Sequence, residues 1–262
     1  MKKLVVVLLV MMALLLGTIG TALAITDGEL DNEGHPYVGM YYFSDPDGNW
    51  RCSGTLISPT VFLTAGHCTY QAFNARVSFD SEITDGSTWV TGVAYAYPNY
   101  TNSTWWMNDV GVVVLDEPVV MAEYGALPEE DQLDTLKTRR GKQDTTFTAV
   151  GYGLQRINPV FVEADKVRMV ANPRLIQINT PGFTGDFSLL LSNNHSTGGT
   201  CFGDSGGPNF LGDSTVVAGI TSFGMNGNCA GTGGVFRMDR QDVLSWAGAC
   251  LADGTSCPAD IP

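Results

Sequence analysis

The apolar residues of this chain occur in short runs that turn-forming residues separate. From residue 38 to residue 238, β-branched and aromatic segments alternate with Gly, Asn, Asp and Pro. Short segments bounded by turn signals are typical of an all-β sandwich or barrel. The strands predicted in the first half are Val38–Phe43, Gly54–Ile57, Val61–Thr64, Arg76–Phe79, Trp89–Ala96 and Val110–Leu115. Those predicted in the second half are Thr145–Gly151, Lys166–Ala171, Leu189–Ser192, Thr215–Ser222 and Gly234–Met238.

The stretch between these two groups of strands has no strand pattern. Residues 127–142 are polar and charged, which predicts a connector. Near the C-terminus, Val243, Leu244 and Ala247 follow helical spacing and predict a helix over Arg240–Leu251. We therefore expect two six-stranded antiparallel Greek-key β-barrels, over about 30–127 and about 143–239. A C-terminal helix and tail follow over 240–262.

The first 24 residues have the pattern of a secretory signal peptide. Lys2 and Lys3 precede an apolar run from Leu4 to Leu16, and the segment ends in Ala22-Leu23-Ala24. The alternative is an uncleaved membrane anchor, but the run of 13 residues is shorter than the roughly 18 needed to cross a bilayer. The sequence predicts a secreted, extracellular domain over 25–262, with no stable membrane association after cleavage.

The charge of the chain limits its partners. The formal net charge is −13, and removal of Lys2 and Lys3 with the signal peptide makes it −15. Such an acidic surface argues against nucleic acid and against anionic membranes as partners. Separately from the charge, we expect a monomer, and no cofactor, because the sequence has no dense acidic loop that would demand calcium.

Six cysteines lie in the predicted mature chain. An even number behind a signal peptide indicates three disulfides, although six cysteines allow 15 pairings on sequence alone. A zinc site is the alternative. The chain has three histidines, and none lies at a usual ligand spacing from two cysteines, which favours disulfides.

A glycine-rich segment surrounds Ser205. The string Cys201-Phe202-Gly203-Asp204-Ser205-Gly206-Gly207-Pro208 can form a tight, exposed turn, because glycine tolerates positive φ and lets a substrate approach closely. Backbone N–H groups in such a turn can point at an approaching carbonyl. An ordinary glycine-rich loop is the simpler interpretation of G-x-S-x-G alone, whereas the full string is more specific.

Two further segments contain residue types that serve nucleophilic catalysis. Leu63-Thr64-Ala65-Gly66-His67-Cys68 places a histidine beside a cysteine that can fix the loop to Cys52, which suits a general base. A lone histidine is more often a surface or core residue. Asn108-Asp109 precedes the apolar run Val110–Leu115. That acid is a strand cap unless its carboxylate is buried and paired with His67.

Taken together, these three segments resemble the trypsin/chymotrypsin family of serine peptidases. They occur in that family's order, His then Asp then Ser, and the resemblance covers essentially the whole mature chain. Further matches are Ala149–Gly153, Ile220–Gly224 and Gly234–Phe236.

The resemblance implies a secreted serine endopeptidase that acts on protein or peptide substrates through an acyl-enzyme. Ser205 is then the nucleophile, His67 the general base and Asp109 the group that orients it. The N–H groups of Gly203 and Ser205 form the oxyanion hole. Cys52–Cys68 and Cys201–Cys229 match two usual disulfides of the family, which leaves Cys250–Cys257 by elimination.

The resemblance also implies a substrate pocket. In this family the residue six before the nucleophile lies at the base of the pocket for the side chain that precedes the cleaved bond. Here that residue is Gly199, with no carboxylate to bind Arg or Lys, so we expect a preference for medium to large apolar side chains. The residues expected to bind substrate are Gly199, Thr200, Ser222, Phe223, Gly224 and Gly234.

A last expectation concerns activation. In the family a new N-terminal Ile or Val folds inward, and its ammonium pairs with the Asp before the nucleophile. Cleavage after Ala24 would release Ile25, so that Ile25 and Asp204 would form this ion pair. The alternative is that Ile25 begins a frayed terminus.

Two rival functions remain. A secreted binding protein that has lost catalysis would lack a triad residue or an oxyanion-hole glycine, and none is missing here. An esterase would carry the same residues, but the segment Ser222–Gly224, which resembles a strand that pairs with extended peptides, favours a peptidase.

Overall fold

The first half of the chain closes into a six-stranded barrel. The computed structural model describes residues 25–136, 144–158, 161–180 and 183–260. After a two-residue strand, β1 (Glu29–Leu30), the barrel strands pair in the order β2-β3-β4-β7-β6-β5. They are β2 (Val38–Asp45), β3 (Gly48–Leu56), β4 (Val61–Thr64), β5 (Phe73–Ser78), β6 (Val90–Ala96) and β7 (Gly111–Leu115).

The second half forms a sheet of eight strands in the order β1-β11-β8-β14-β15-β16-β13-β12. Its own strands are β8 (Phe147–Gly151), β11 (Met169–Ala171), β12 (Leu175–Thr180), β13 (Gly185–Asn193), β14 (Pro208–Leu211), β15 (Val217–Gly224) and β16 (Gly231–Arg237). A separate hairpin consists of β9 (Arg156–Asn158) and β10 (Phe161–Glu163). The sheet curls, because a bridge between Thr146 and Arg174 brings the start of β12 to the start of β8.

Short helical segments complete the fold. A single turn, α1 (Gly66–Thr69), follows β4, and 3-10 turns cover Asn102–Thr104 and Gln132–Leu136. The C-terminal helix, α2, spans Gln241–Asp253. No helix in the described part of the chain is long and apolar enough to cross a membrane.

The predicted all-β class with a C-terminal helix is confirmed. The second half differs in detail, because the N-terminal strand β1 joins its sheet, and among the described residues only the first half forms a fully closed ring. Strands β12 and β14 had no prediction: β12 mixes polar with apolar residues, and β14 begins with a proline. The predicted connector contains the turn Gln132–Leu136, while residues 137–143 and the predicted signal peptide lie outside the described residues.

Helix α2 packs on the first barrel through Trp246. This side chain is fully buried, and its ring meets Tyr97 edge to face at 5.4 Å between centroids. The indole N–H donates to the carbonyl oxygen of Pro258 at 3.1 Å, which holds the tail against the helix. Burial of such an aromatic side chain contributes about 2–3 kcal/mol to stability.

A buried arginine attaches the N-terminal segment to the second half. Arg168 is 1 % exposed, and its Nε donates to Asp31 at 2.9 Å. Its remaining nitrogens donate to Glu33 at 2.9 Å and to the Tyr152 hydroxyl at 3.1 Å. Because a buried guanidinium is stable only when it is paired and hydrogen-bonded, these contacts fix residues 31–33 in place.

Candidate active site

Two neighbouring strands of the barrel bring His67 to Asp109. Strands β4 and β7 pair, and Thr64 at the end of β4 lies opposite Gly111 at the start of β7. His67 follows Thr64 by three residues on α1, and Asp109 precedes Gly111 by two. The two loops therefore leave the barrel at the same point.

Asp109 is fully buried and accepts hydrogen bonds from two sides. The Nδ1 atom of His67 lies 2.9 Å from Oδ2 and 3.0 Å from Oδ1, and the His67 backbone N–H donates to Oδ1 at 2.8 Å. The hydroxyl of Ser222 on β15 donates to Oδ2. An ionised carboxylate only accepts, so Nδ1 carries the proton and Nε2 is left as the acceptor of the neutral ring.

The environment of His67 changes its proton affinity. Burial of the ring acts to lower the pKa, because it disfavours the imidazolium, but the charge of Asp109 and the hydrogen bond to it outweigh burial. The net effect raises the pKa of His67 above its ordinary value. The ring remains accessible, with 29 % of its side chain exposed.

Ser205 lies in a turn between strands from both halves. Its carbonyl oxygen accepts from the N–H of Ser53 on β3 at 2.8 Å. On its other side, the N–H of Gly206 donates to Thr221 on β15 at 2.8 Å. Ser205 and His67 line the same pocket, and no hydrogen bond joins the Ser205 hydroxyl to the His67 ring in the described structure.

The backbone before Ser205 requires glycine. Gly203 has φ +96°, in the region that L side chains rarely adopt, and an added Cβ would lie 3.0 Å from the Cα of Gly153. Within the described residues, the N–H groups of Gly203 and Ser205 donate no hydrogen bond to the protein. Two free donors beside a serine hydroxyl are the geometry that can bind a developing oxyanion.

A pocket of about 310 Å³ opens beside Ser205. Its walls are largely apolar, with aromatic rings from Trp105, Phe202 and Phe223, and no carboxylate lines it. The full lining is His67, Trp105, Thr200, Cys201, Phe202, Ser205, Thr221, Ser222, Phe223, Gly224 and Cys229. Such a surface suits an apolar side chain and has no charge to attract Lys or Arg.

Two of the expected pocket residues lie elsewhere. Gly199 does not line the pocket, because the side chain of Asn193 occupies the space where a Gly199 Cβ would lie. Gly234 does not line it either, because the Phe223 ring covers it. The expected residues that do line it are Thr200, Ser222, Phe223 and Gly224.

Asp204 lies behind the turn with its carboxylate fully buried. It accepts from the N–H of Gly153 at 2.7 Å and from the N–H of Cys201 at 2.9 Å. Burial raises the pKa of Asp204 to about 7, against the lowering effects of these two hydrogen bonds and of the Arg51 charge.

Ile25 lies close to this region without binding Asp204. Its side chain is buried against Met169 and Ala171, and the next residue, Thr26, pairs with Gly199. No hydrogen bond or ion pair joins Ile25 to Asp204 among the described residues. In the full chain the Ile25 nitrogen belongs to a peptide bond, so it has no ammonium to offer.

The structure joins the cysteines of each expected pair. Cys52–Cys68 links β3 to the turn that carries His67, with the Cα atoms 6.4 Å apart. Cys201–Cys229 links the segment before Ser205 to the loop before β16, with the Cα atoms 5.3 Å apart. Cys250–Cys257 closes the tail on α2.

Four residues in or beside the site had no predicted role there. Trp105, Phe202 and Thr221 line the pocket, and Arg51 on β3 lies beside the Ser205 turn. Trp105 and Trp106 are two large aromatic residues in an otherwise polar stretch just before Asp109. This contrast could have indicated from the sequence that Trp105 lines the pocket.

Comparison with known proteins shows the family of this chain. A family model described as Trypsin matches residues 26–247. The chain is 32 % identical to brachyurin of Leptuca pugilator, over 70 % of this chain and 80 % of that protein. It is 24 % identical to a collagenase of Hypoderma lineatum, over 78 % of this chain and 80 % of that protein.

A solved structure described as HL collagenase superposes with a TM-score of 0.70 at 20 % identity, over 88 % of this chain and 100 % of that one. That likeness shows the shared fold, and the family match covers most of the chain, including all three segments around His67, Asp109 and Ser205. The chain therefore belongs to the trypsin family of serine endopeptidases.

Proposed function

We propose that this protein is a secreted endopeptidase that cleaves peptide bonds through an acyl-enzyme, with Ser205 as nucleophile. The observation that carries the proposal is the His67 ring, which is held by a buried Asp109 and lines the same pocket as Ser205. His67 Nε2 accepts the proton of the Ser205 hydroxyl as Oγ attacks the scissile carbonyl, and later donates it to the leaving amine.

Asp109 holds the reactive tautomer. Its hydrogen bond to Nδ1 keeps Nε2 free of a proton before attack, and its charge stabilises the imidazolium formed during attack. Ser222 and the His67 backbone N–H fix the carboxylate, so that little reorganisation accompanies the reaction.

The N–H groups of Gly203 and Ser205 stabilise the tetrahedral intermediate. They have no partner in the described structure, which supports this role. Loss of one such donor raises the barrier by about 3–4 kcal/mol. Water then attacks the acyl-enzyme, with His67 acting again as base.

The pocket selects apolar side chains before the cleaved bond. The rings of Trp105, Phe202 and Phe223 and the lack of a carboxylate in its lining support this specificity. The segment Ser222–Gly224 pairs with the extended substrate backbone by adding a strand.

Export and activation are one event in this proposal. Removal of residues 1–24 gives Ile25 a free ammonium, which pairs with the buried carboxylate of Asp204. The raised pKa of Asp204 supports this. A buried carboxyl group without a paired cation resists ionisation, so a nearby ammonium would strongly stabilise its ionised form.

A fluorophosphonate label tests the central claim. We expect the purified protein to be labelled on Ser205 and to cleave peptides, and the Ser205→Ala variant to do neither. The rival catalytically inert binding protein would remain unlabelled. An esterase without peptidase activity would react with the label but leave folded and denatured protein substrates intact.

A further inference from the structure

We propose that Arg51 is a specificity residue for the leaving-group side of the substrate, where its guanidinium binds a carboxylate side chain of a residue just after the cleaved bond. This inference rests on the proposed peptidase function. It assigns a role to a cation that the catalytic steps do not use.

The register of β3 turns Arg51 towards the Ser205 turn. Ser53, two residues later, donates its N–H to the Ser205 carbonyl and its hydroxyl to the Gly203 carbonyl, each within 2.9 Å. Side chains two residues apart on a strand share a face, so Arg51 lies on the same side. Its Nε lies 3.3 Å from the point where a Gly203 Cβ would be.

The flanks of Ser205 show which part of the substrate meets Arg51. On one side the turn bonds to β15, whose end, Ser222–Gly224, belongs to the pocket for the acyl part of the substrate. On the other side the turn bonds to β3. A peptide that pairs with Ser222–Gly224 and crosses Ser205 must therefore leave over β3, where Arg51 lies.

Arg51 has no hydrogen-bonded acidic partner in the described structure. Arg168 and Arg237 carry ion pairs with carboxylates, and Arg76 stacks on the rings of Tyr42 and Trp89. Arg51 forms none of these contacts, although it is partly buried. Burial lowers its pKa and the charge of Asp204 opposes this, but the guanidinium remains charged and has donors to spare.

The alternative explanation for the position of Arg51 is that its charge pairs with the carboxylate of Asp204. Asp204 influences Arg51 electrostatically, but its two carboxylate oxygens already accept from the N–H groups of Gly153 and Cys201. No hydrogen bond joins the Arg51 guanidinium to Asp204 among the described residues, so the fork of donors on Arg51 is unfilled. A peptide carboxylate can fill that fork with two parallel hydrogen bonds.

The test uses pairs of internally quenched peptides that share one apolar cleavage site. Within a pair, the first or second residue after the cleaved bond is Glu in one peptide and Gln in the other. We measure kcat/KM for both with the full chain expressed and purified in its active form, then with Arg51→Gln, Arg51→Lys and Arg51→Glu. Arg76→Gln is the matched control, because it removes the same charge two strands away on the barrel, where the guanidinium stacks on the rings of Tyr42 and Trp89.

We expect the unchanged protein to prefer Glu over Gln about three- to tenfold at one of the two positions. Arg51→Gln brings this ratio to about one, Arg51→Lys keeps part of it, and Arg76→Gln leaves it unchanged. Arg51→Glu reverses it, so that the Gln peptide is cleaved faster than the Glu peptide. Each ratio compares two substrates of one preparation, so partial misfolding of a variant cancels.

Equal cleavage of Glu and Gln peptides by the unchanged protein would overturn the role of Arg51 while leaving the peptidase intact. An Arg51 variant that loses activity equally on every peptide would overturn the proposal, because it would show that Arg51 supports the active site through Asp204 and does not bind the substrate. Failure to cleave any peptide, with no label on Ser205, would overturn the proposed function itself.

Discussion

Ser222 on β15 donates its hydroxyl hydrogen bond to Asp109, which stands before β7 of the other half of the molecule. The sheet of the second half thus helps to hold the carboxylate that orients His67, although both Asp109 and His67 belong to the first barrel. Relative movement of the two halves would loosen this bond.

Ser222→Ala tests this contact. Loss of a hydrogen bond to a buried charged group costs about 1.5–3 kcal/mol, so we expect reduced stability in urea and a kcat lowered by about tenfold or more. Ser214→Ala removes a hydroxyl from an exposed turn and serves as the control. Unchanged kcat and stability in Ser222→Ala would show that the hydroxyl is dispensable.

Ser205 and His67 should act as a unit. We expect Ser205→Ala and His67→Ala each to lower kcat by about 10⁶, and the double variant to be little worse than either one. Circular dichroism checks that the fold is kept. Additive losses in the double variant would contradict a shared step, and substantial peptidase activity in Ser205→Ala would contradict its role as nucleophile.

The pH profile reports the His67–Asp109 pair. Activity requires neutral His67, so kcat/KM should fall as pH drops through the raised pKa of this residue. Asp109→Asn removes the charge that raises this pKa, which moves the acid limb to lower pH and lowers kcat by about 10⁴. An acid limb that stays in place in Asp109→Asn would assign it to another group.

The stability of the protein should depend on pH in different pH windows before and after Ile25 is freed. With Ile25 in a peptide bond, the pKa of Asp204 is about 7 when folded and roughly 3.9 when unfolded. The folded state then holds the extra proton, so stability falls as pH rises through this window.

With a free Ile25 ammonium, pairing raises the pKa of the amine above its usual value near 8. That stabilisation is present at neutral pH and is lost as pH rises through the folded-state pKa. Urea unfolding across pH, with and without two extra residues before Ile25, measures both effects, and Asp204→Asn should flatten both curves. Identical curves for the two forms, or active enzyme whose N-terminus is not Ile25, would contradict activation by this ion pair.

The pocket gives a specificity prediction. A peptide library should show cleavage after medium to large apolar residues, because the lining is aromatic and has no carboxylate. Thr200→Asp places an acid in the lining and should raise kcat/KM after Lys and Arg relative to apolar residues. A profile of the unchanged protein dominated by Lys and Arg would contradict the prediction.

Sequence patterns predicted the parts of this molecule whose structure depends on a few adjacent residues. The turn around Ser205 needs glycine at positive φ, and strands β4 and β7 are continuous apolar runs, so each left a signal in a few adjacent residues. The geometry that joins His67 to Asp109 depends on a strand pairing across more than forty residues. Only the family resemblance anticipated it.

The parts that the sequence did not predict depend on long-range packing. Whether Gly234 lines the pocket depends on the Phe223 ring, which lies across it from the paired strand. The direction of Arg51 depends on the register of β3 against the Ser205 turn. Neither relation is encoded in neighbouring residues, because the first depends on the pairing of β15 with β16 and the second on the contact between the two halves.

Arg168 gives the N-terminal segment the properties of a tethered ligand. Its bonds to Asp31 and Glu33 hold the chain a few residues after Ile25, and Thr26 pairs with Gly199, two residues before the Cys201 N–H that binds Asp204. In the proposed activation, insertion of the terminus is therefore an intramolecular event, with an effective concentration in the millimolar range or above for so short a tether. It is independent of dilution, and a free peptide that mimics the terminus would have to reach comparable concentrations to compete with it.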